Sequence, residues 1–252
     1  MEKKRFKKMM IKNILHVIKL HFCAKWIAKK DKMPYLDRHR YIRKFLYIYH
    51  RDMKVKQNVF GIENLNGLEG CVFMGNHQSQ EDGPALLKAL GDNDYAAACL
   101  INDERTHFFF FSNLCDMLKF KRIKFDDLRS QAKIYNEMKD EINQGYRFII
   151  FPEAGYSDNR NNLQEFNTPA FVPAIKAKCP IVPFVLYDTW RVYNDDFAKS
   201  GLLTYEVHFL KPIQYDEYKD LNKQEIADLV KNKILEKLNE IKKEKGEFIS
   251  QC

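Results

Sequence analysis

Residues 72–84, with the sequence VFMGNHQSQEDGP, decide the fold of this chain. The apolar residues at the start of this stretch predict a buried strand of the kind found in α/β sheets, and the strand ends at Gly75. A helix is predicted to begin near Asp82, with Asp82 as its N-cap, and to end at Gly91. His77 and Asp82 therefore follow the carboxyl end of a strand, which is where α/β proteins place their functional sites.

The histidine and the carboxylate five residues later are a candidate proton-transfer pair. A histidine can accept a proton at neutral pH, and a carboxylate on one ring nitrogen orients the ring and stabilises the imidazolium. The other nitrogen of His77 would then face a substrate hydroxyl. The same spacing also arises when a histidine merely ends a strand and an aspartate caps a helix, so the pair alone leaves both interpretations open.

Two further blocks give the pair its context. Residues 145–157 have the sequence GYRFIIFPEAGYS, and residues 180–184 have the sequence PIVPF. A strand ending in Asn-His-x4-Asp, then Phe-Pro-Glu after another strand, then Ile-Val-Pro, in this order, resembles the glycerolipid acyltransferases. Among them the 1-acylglycerol-3-phosphate acyltransferases are most similar, and the resemblance covers about residues 58–188.

The resemblance implies an enzyme that moves an acyl chain from a thioester, either acyl-CoA or acyl carrier protein, to the free hydroxyl of 1-acylglycerol-3-phosphate. The product would be phosphatidic acid for phospholipid synthesis. The resemblance further implies that His77 is the general base and that Asp82 orients it. It implies no cofactor and no metal ion, because the thioester is a co-substrate. The family's substrate-binding positions correspond here to Asn76, Phe151, Pro152, Glu153 and Gly155.

The chain departs from the family's pattern at two arginine positions. The family's Phe-Pro-Glu block usually continues with Gly-Thr-Arg, but residues 154–156 are AGY, and residues 126–127 are DD where a second arginine is expected. Arg160 and Arg122 are candidate replacements that would bind the acceptor phosphate, and Tyr156 can donate one neutral hydrogen bond. The alternative for both arginines is a solvated surface charge. The acceptor headgroup is therefore open, and another lysophospholipid or another lipid with a hydroxyl or amine remains an alternative.

The size and charge of the chain limit the possible functions. It has 252 residues, with 42 Lys and Arg against 34 Asp and Glu, which suits one domain or one domain with a small appendage. The net charge of +8 suits anionic partners such as membrane phospholipid, nucleic acid or phosphate-bearing small molecules. No apolar stretch approaches the ~20 residues that span a bilayer. The cysteines lack metal-binding spacing and are typical of a reduced cytosolic protein; they are Cys23, Cys71, Cys99, Cys115, Cys179 and Cys252.

The first 30 residues are the most basic part of the chain and have an amphipathic pattern. Their apolar positions fall on one helical face, at Ile11, Ile14, Leu15, Ile18 and Phe22. They predict either an interfacial helix on anionic lipid or a helix packed on the domain with a solvated basic face. For an enzyme with a membrane-dissolved acceptor we favour the first, and expect a membrane-facing segment, 1–50, and an acyltransferase domain, 51–252. This predicts a peripheral protein on the cytoplasmic face of the membrane. No nucleic-acid partner is expected, because the basic residues lie on an amphipathic stretch and we recognise no nucleic-acid module.

From residue 58 onward, predicted strands alternate with predicted helices. This alternation predicts an α/β fold with a largely parallel sheet flanked by helices, and a mixed sheet if the last strand joins antiparallel. The predicted strands are 71–74, 95–100, 122–125, 147–151, 181–186 and 203–209, and the predicted helices are 82–91, 127–144, 168–178 and 223–245. The segment THFFFF, residues 106–111, is interpreted as core, as the wall of an acyl-chain groove or as a lipid-contact patch.

Two alternative functions remain beside the acyltransferase. A non-catalytic relative that keeps the fold and binds lipid surfaces would explain the altered arginine positions, although the intact pair of His77 and Asp82 argues against it. A thioesterase would use the same thioester but would transfer the acyl group to water. Dependence of the reaction on an acceptor separates a thioesterase from a transferase.

Overall fold

The structure is a computed structural model that describes residues 4–108, 110–194, 197 and 201–247. Phe109, in the segment THFFFF, and Cys252 lie outside the described residues. Within the described part, one seven-stranded sheet carries helices on both faces, so the predicted α/β class is confirmed.

The bounds of the regular elements follow the chain in order. The strands are β1 (Val55–Phe60), β2 (Val72–Gly75), β3 (Ala98–Asn102), β4 (Lys121–Ile123), β5 (Phe148–Ile150), β6 (Ile181–Tyr187) and β7 (Leu203–Phe209). The α-helices are α1 (Lys4–Lys12), α2 (Ile14–Lys30), α3 (Tyr35–Asp52), α4 (Asp82–Gly91), α5 (Phe111–Met117), α6 (Leu128–Ile142), α7 (Val172–Ala177), α8 (Tyr215–Tyr218) and α9 (Lys223–Glu244). Short 3₁₀ turns occupy Ile62–Leu65, Asp103–Arg105, Thr168–Phe171 and Thr189–Tyr193.

The strand order brings most strand ends to one edge of the sheet. The order is β1-β7-β6-β2-β5-β3-β4, and β2 pairs in parallel with both β5 and β6. β3 is parallel to β5 and β4, so β2 to β6 all end at the same edge, here called the carboxyl edge. β7 runs antiparallel to β6, as the sequence allowed, and β1 is parallel to β7. β1 was not predicted, because its sequence VKQNVF has neither a continuous apolar run nor a strict alternation, and it lies at the outer edge of the sheet.

The register places the loop after β2 between the ends of its two neighbours. Met74 pairs with Ile150 of β5 and with Pro183 of β6, and Gly75 pairs with Phe184. A Cβ atom on Gly75 would lie 2.3 Å from the Phe184 ring and 2.4 Å from its carbonyl oxygen, so only glycine fits this approach. The segments that follow β2 and β5 therefore leave the sheet side by side.

Two layers of helices bury the sheet. Helices α6, α7 and α9 cover one face, where Met138 and Ile234 are fully buried. The other face is covered by α4 and the end of α3, with Leu86 packed near Phe73 in one apolar cluster. Burial of such a side chain contributes about 1.5–3 kcal/mol to stability. Because the positions that face the sheet are therefore apolar, the apolar patterns in the sequence predicted most of these elements.

The N-terminal helices pack on the domain along one side only. The amphipathic helix predicted within the first 30 residues is divided into α1 and α2 at Asn13. The side-chain amide of Asn13 donates to the Met9 carbonyl and to Asp52 at the end of α3. Leu20 and Ala24 of α2 are buried against α3 and α5. The opposite side of α1 and α2 exposes a stripe of large apolar residues: Ile11, Ile14, Leu15, Ile18, Phe22 and Trp26. Among the residues described, no helix has both the length and the apolar character needed to cross a bilayer.

Two predicted segments differ from the observed ones for local reasons. The predicted helix 168–178 is a 3₁₀ turn followed by the short helix α7, because Pro169 and Pro173 remove backbone donors from it. In the segment THFFFF, Thr106 is buried, whereas Phe108 is 67 % exposed. The core interpretation therefore fails for Phe108, and its two alternatives stay predictions.

Candidate active site

Residues 76–82, here called the His77 turn, connect β2 to α4 at the carboxyl edge. His77 Nδ1 lies 2.7 Å from Asp82 Oδ2, so the two candidate catalytic residues are in direct contact. The side chain of Asp82 is fully buried and that of His77 is 19 % exposed. The pair thus joins a carboxylate inside the protein to an imidazole at its surface.

The Asp82 carboxylate closes the His77 turn rather than capping a helix. It accepts hydrogen bonds from the backbone N–H groups of Gln78, at 2.5 Å, and Ser79, at 2.9 Å, both of which precede the helix. Helix α4 begins at Asp82 itself, and Glu81 occupies the N-cap position. The prediction that Asp82 is the N-cap was therefore wrong. An N-cap side chain would accept from the first turn of the helix, whereas this one points back at the loop.

Two aromatic rings hold the imidazole in place. The Phe151 ring, just after β5, stacks on it with 4.2 Å between centroids and 20° between planes. The Tyr156 ring meets it edge-on, with centroids 4.6 Å apart. Because Nδ1 is committed to Asp82, the Nε2 atom is the nitrogen that remains for a substrate. The segments that follow β2 and β5 thus meet at His77.

Asn76 fixes the start of the His77 turn to β6. Its side-chain amide donates to the Leu186 carbonyl, and its oxygen accepts from the Leu186 N–H, each at 2.8 Å. The side chain of Asn76 is fully buried. In this structure Asn76 therefore positions the turn, and a direct contact with substrate stays a prediction.

The Phe-Pro-Glu block places a buried acid beside the His77 turn. Glu153 is 8 % exposed; Oε2 accepts from the Gln164 side chain at 2.7 Å, and Oε1 has no hydrogen-bond partner among the described residues. Burial raises the pKa of Glu153 to about 7, against the opposing effects of hydrogen bonds from Gln164 and of nearby His77. Pro152 accepts a backbone hydrogen bond from Asn167, which fixes the loop that follows β5.

The candidate phosphate ligands occupy different surroundings. Arg160 is 58 % exposed, 5.0 Å from the Trp190 ring centroid, and sits next to Asn159, whose amide donates to the His77 carbonyl at 3.2 Å. Arg122 donates to Asp116, at 2.6 Å, and also to Thr106 and Ser112. The loop of Arg160 therefore touches the His77 turn, whereas the guanidinium of Arg122 is engaged by Thr106 and by residues of α5.

Sequence reasoning missed three residues of this region. Gln164 and Asn159 hold Glu153 and His77 from a loop without regular structure, and no spacing in the sequence marks them. Arg105 lies near Tyr156: burial raises the pKa of Tyr156, and the Arg105 charge acts against that rise. Its position just after β3 was a usable signal, because β3 ends at the same edge of the sheet.

The comparison with protein families decides the kind of protein. A sequence model described as Acyltransferase matches residues 56–187, which is more than half of the chain and includes the His77 turn and the Phe-Pro-Glu block. The chain belongs to the Acyltransferase family. The family resemblance predicted from the motifs is thereby confirmed.

Two known proteins are similar to this Acyltransferase-family chain, one in sequence and one in structure. It is 25 % identical over 173 residues to the human 1-acyl-sn-glycerol-3-phosphate acyltransferase beta, covering 66 % of this chain and 58 % of that protein. It thus spans less than two thirds of the length of that relative. A crystal structure of the 1-acyl-sn-glycerophosphate acyltransferase PlsC from Thermotoga maritima matches with a TM-score of 0.67 and 18 % identity. That match covers 93 % of this chain and 98 % of the other, and it confirms the fold.

The arrangement offers a defined set of chemical groups. It has an imidazole oriented by a buried carboxylate, a second buried carboxyl at Glu153, and cationic side chains at the rim. Within the described ranges, no three His, Cys, Asp or Glu side chains come together in a group that could hold a metal ion.

Proposed function

We propose that this chain transfers an acyl chain from a thioester to the free hydroxyl of 1-acylglycerol-3-phosphate and forms phosphatidic acid. The observation that carries the proposal is the 2.7 Å contact between His77 Nδ1 and Asp82, which commits one ring nitrogen and leaves the other for the hydroxyl. The acceptor is taken from the names of the human and Thermotoga relatives. Another lysophospholipid is the alternative acceptor, because the family's arginine positions are changed in this chain.

The chemistry follows from the orientation of the imidazole. His77 Nε2 takes the proton of the acceptor hydroxyl while the oxygen attacks the thioester carbon. The new C–O bond forms, the C–S bond breaks, and the imidazolium returns its proton to the leaving thiolate. Asp82 stabilises the imidazolium between these two steps, since its carboxylate stays at Nδ1. No acyl-enzyme is formed, because a thioester is already activated.

The substrate-binding residues remain those that the sequence indicated. Phe151, Pro152, Glu153 and Gly155 shape the acceptor pocket, with Tyr156 and Arg160 at its rim. Arg122 is the weaker candidate for the phosphate, because β4 lies three strands from β2 and strand spacing of about 4.8 Å puts it roughly 14 Å away. The donor is acyl-CoA or acyl carrier protein, and it acts as co-substrate.

The N-terminal segment, 1–50, is proposed to rest on the cytoplasmic face of the membrane, beside the catalytic domain, 51–252. The exposed stripe on α1 and α2 supports this, with Leu15 77 % and Phe22 64 % exposed beside many lysines. Leu15→Ser with Phe22→Ser should weaken co-sedimentation with anionic vesicles. Phe60→Ser is the matched control, since Phe60 is exposed at the end of β1, on the edge opposite the site. Equal binding by both variants would contradict the proposed membrane contact.

The deciding experiment measures thiol release from acyl-CoA and from acyl carrier protein, with and without a panel of lysophospholipids. His77→Ala should lower acceptor-dependent release by about 10² to 10⁴, the usual contribution of a general base. His208→Ala is the control, because His208 lies on β7, two strands from β2, and its ring pairs with Glu206. Release without any acceptor would indicate a thioesterase. Absence of release from folded protein that still binds vesicles would indicate a non-catalytic relative.

A further inference from the structure

A second buried polar cluster lies directly behind the His77 turn. Glu81 is fully buried, and its carboxylate meets Tyr49 Oη at 2.5 Å, His50 Nε2 at 2.6 Å and Tyr205 Oη at 3.3 Å. The Tyr193 hydroxyl lies 2.8 Å from that of Tyr49 and completes the group. These five residues, here called the Glu81 cluster, come from α3, β7, the start of α4 and the turn Thr189–Tyr193. The proposed reaction uses none of them.

The donors of the Glu81 cluster fit a carboxylate. A buried carboxylate is costly unless several hydrogen bonds replace water, and Glu81 has three. Burial raises the pKa of Tyr49 and of Tyr205 well above the ordinary value, and the charge of Glu81 raises both further. Both hydroxyls therefore keep their protons and stay donors.

Glu81 and Asp82 are consecutive, but their side chains face opposite ways. The Glu81 carboxylate points to α3 and β7, whereas the Asp82 carboxylate points to His77 and to the N–H groups of the His77 turn. Helix α4 starts between them, so its first residue is fixed from both sides. A displacement of about 1 Å in a catalytic group can cost 10²-fold in rate. Any movement of Glu81 is passed to Asp82 through one peptide unit.

We propose that Glu81 is a positioning residue of the acyl-transfer site: held by His50, Tyr49 and Tyr205, it fixes the start of α4 so that Asp82 keeps His77 in its Nδ1–H tautomer. This inference rests on the proposed function, because it concerns how the same base is oriented. It also gives α3 a part in the site, since α3 supplies two of the three groups that bind Glu81.

The test uses the ¹⁵N NMR signals of the His77 ring in the full chain at about pH 9, assigned by their loss in His77→Ala. Asp82→Asn should shift His77 toward the Nε2–H tautomer, as loss of an orienting carboxylate does. Glu81→Ala should move it in the same direction, and Tyr49→Phe should produce a smaller change. Tyr218→Phe is the control: that tyrosine is also buried and its hydroxyl donates to the Cys179 carbonyl, outside the Glu81 cluster. If Glu81→Ala does not fold, Glu81→Gln and Tyr49→Phe carry the test.

The outcomes separate the two proposals. A changed tautomer in Asp82→Asn but not in the folded Glu81 and Tyr49 variants would overturn the positioning role and leave the proposed function standing. An unchanged tautomer in Asp82→Asn would overturn the orienting role of Asp82 and with it the positioning role of Glu81, whereas the proposed acyl transfer would fail only if acceptor-dependent thiol release were absent. Kinetics give a second check: Glu81→Ala should lower kcat more than it changes KM, and should add little further loss in an Asp82→Asn background. Fully additive losses would mean that Glu81 does not act through Asp82.

Discussion

Glu153→Gln should change how the free energy of unfolding depends on pH. The carboxyl is buried, one of its oxygens has no hydrogen-bond partner in the part of the chain that the structure describes, and burial raises its pKa from the ordinary 4.5 to about 7. A carboxyl whose pKa is higher in the folded state stabilises the fold while it is protonated in that state. This contribution is complete below about pH 4.5, and it is lost as the pH rises through about 7.

The size of the effect follows from the same values. At about 1.36 kcal/mol per pKa unit, the rise from 4.5 to about 7 corresponds to about 3.4 kcal/mol at most. Between about pH 5 and about pH 8.5, the linkage relation gives a loss of about 2.5 kcal/mol for the wild-type protein. Glutamine keeps the shape and the hydrogen-bonding capacity of the side chain but does not ionise. The free energy of unfolding of Glu153→Gln should therefore rise by about 2.5 kcal/mol relative to that of wild type as the pH increases over this interval.

Urea unfolding at both pH values measures this difference. Glu165→Gln is the matched control, because Glu165 lies on the same loop but is 92 % exposed, so its stability difference from wild type should vary little with pH. Parallel pH dependences for wild type and Glu153→Gln would refute the reasoning. They would show that the Glu153 carboxyl titrates alike in the folded and unfolded chains.

Three further variants, one of them with a matched control, test other parts of the structure. Asp82→Asn should lower acceptor-dependent thiol release by about 10² or more, since an amide cannot stabilise the imidazolium as a carboxylate does; an unchanged rate would remove Asp82 from the mechanism. Gly75→Ala should lower the free energy of unfolding by about 1–3 kcal/mol or more, because its Cβ would overlap Phe184. Gly83→Ala is the matched control: no atom of the described residues lies within 4 Å of the new Cβ, so the free energy of unfolding should stay within about 0.5 kcal/mol of wild type in the same thermal unfolding experiment. Asn222→Ala should cost about 1 kcal/mol, because the Asn222 side chain caps α9; a wild-type melting curve would contradict this.

The sequence predicted the elements whose apolar patterns are long or fully buried. Strand β7 matches its predicted bounds, and helix α6 lies within the predicted 127–144, with Asp127 accepting from the first turn as its N-cap. These elements carry their own signal, because burial dictates the period of their apolar residues. Strand β1 has no such apolar pattern. It lies at the outer edge of the sheet and only its residue Val55 is buried, so it is held by backbone pairing with β7 rather than by side-chain burial.

The motifs and the expected parallel topology predicted which strand ends lie at the site, but they did not predict the directions of its side chains. The largely parallel sheet expected from the sequence brings the ends of β2 and β5 to one edge, and there the rings of His77 and Phe151 stack. The direction of the Asp82 side chain was not predictable, because the same residue can cap a helix or close the loop before it. Glu81 gave no signal either. The sequence QSQED is typical of a solvated loop, and only partners from α3 and β7, far away in the chain, bury that glutamate.

The order of the strands has a consequence for protein engineering. His77, the proposed base, follows β2 in the middle of the sheet, whereas the segments after β3 and β4 lie two and three strands away. A mutant library restricted to residues 103–108 and 124–127 would therefore vary the rim of the site while leaving the hydrogen bonds of the His77 turn intact. Variants from such a library should keep the contact between His77 and Asp82, because the residues that hold the His77 turn follow β2, β5 and β6 rather than β3 or β4.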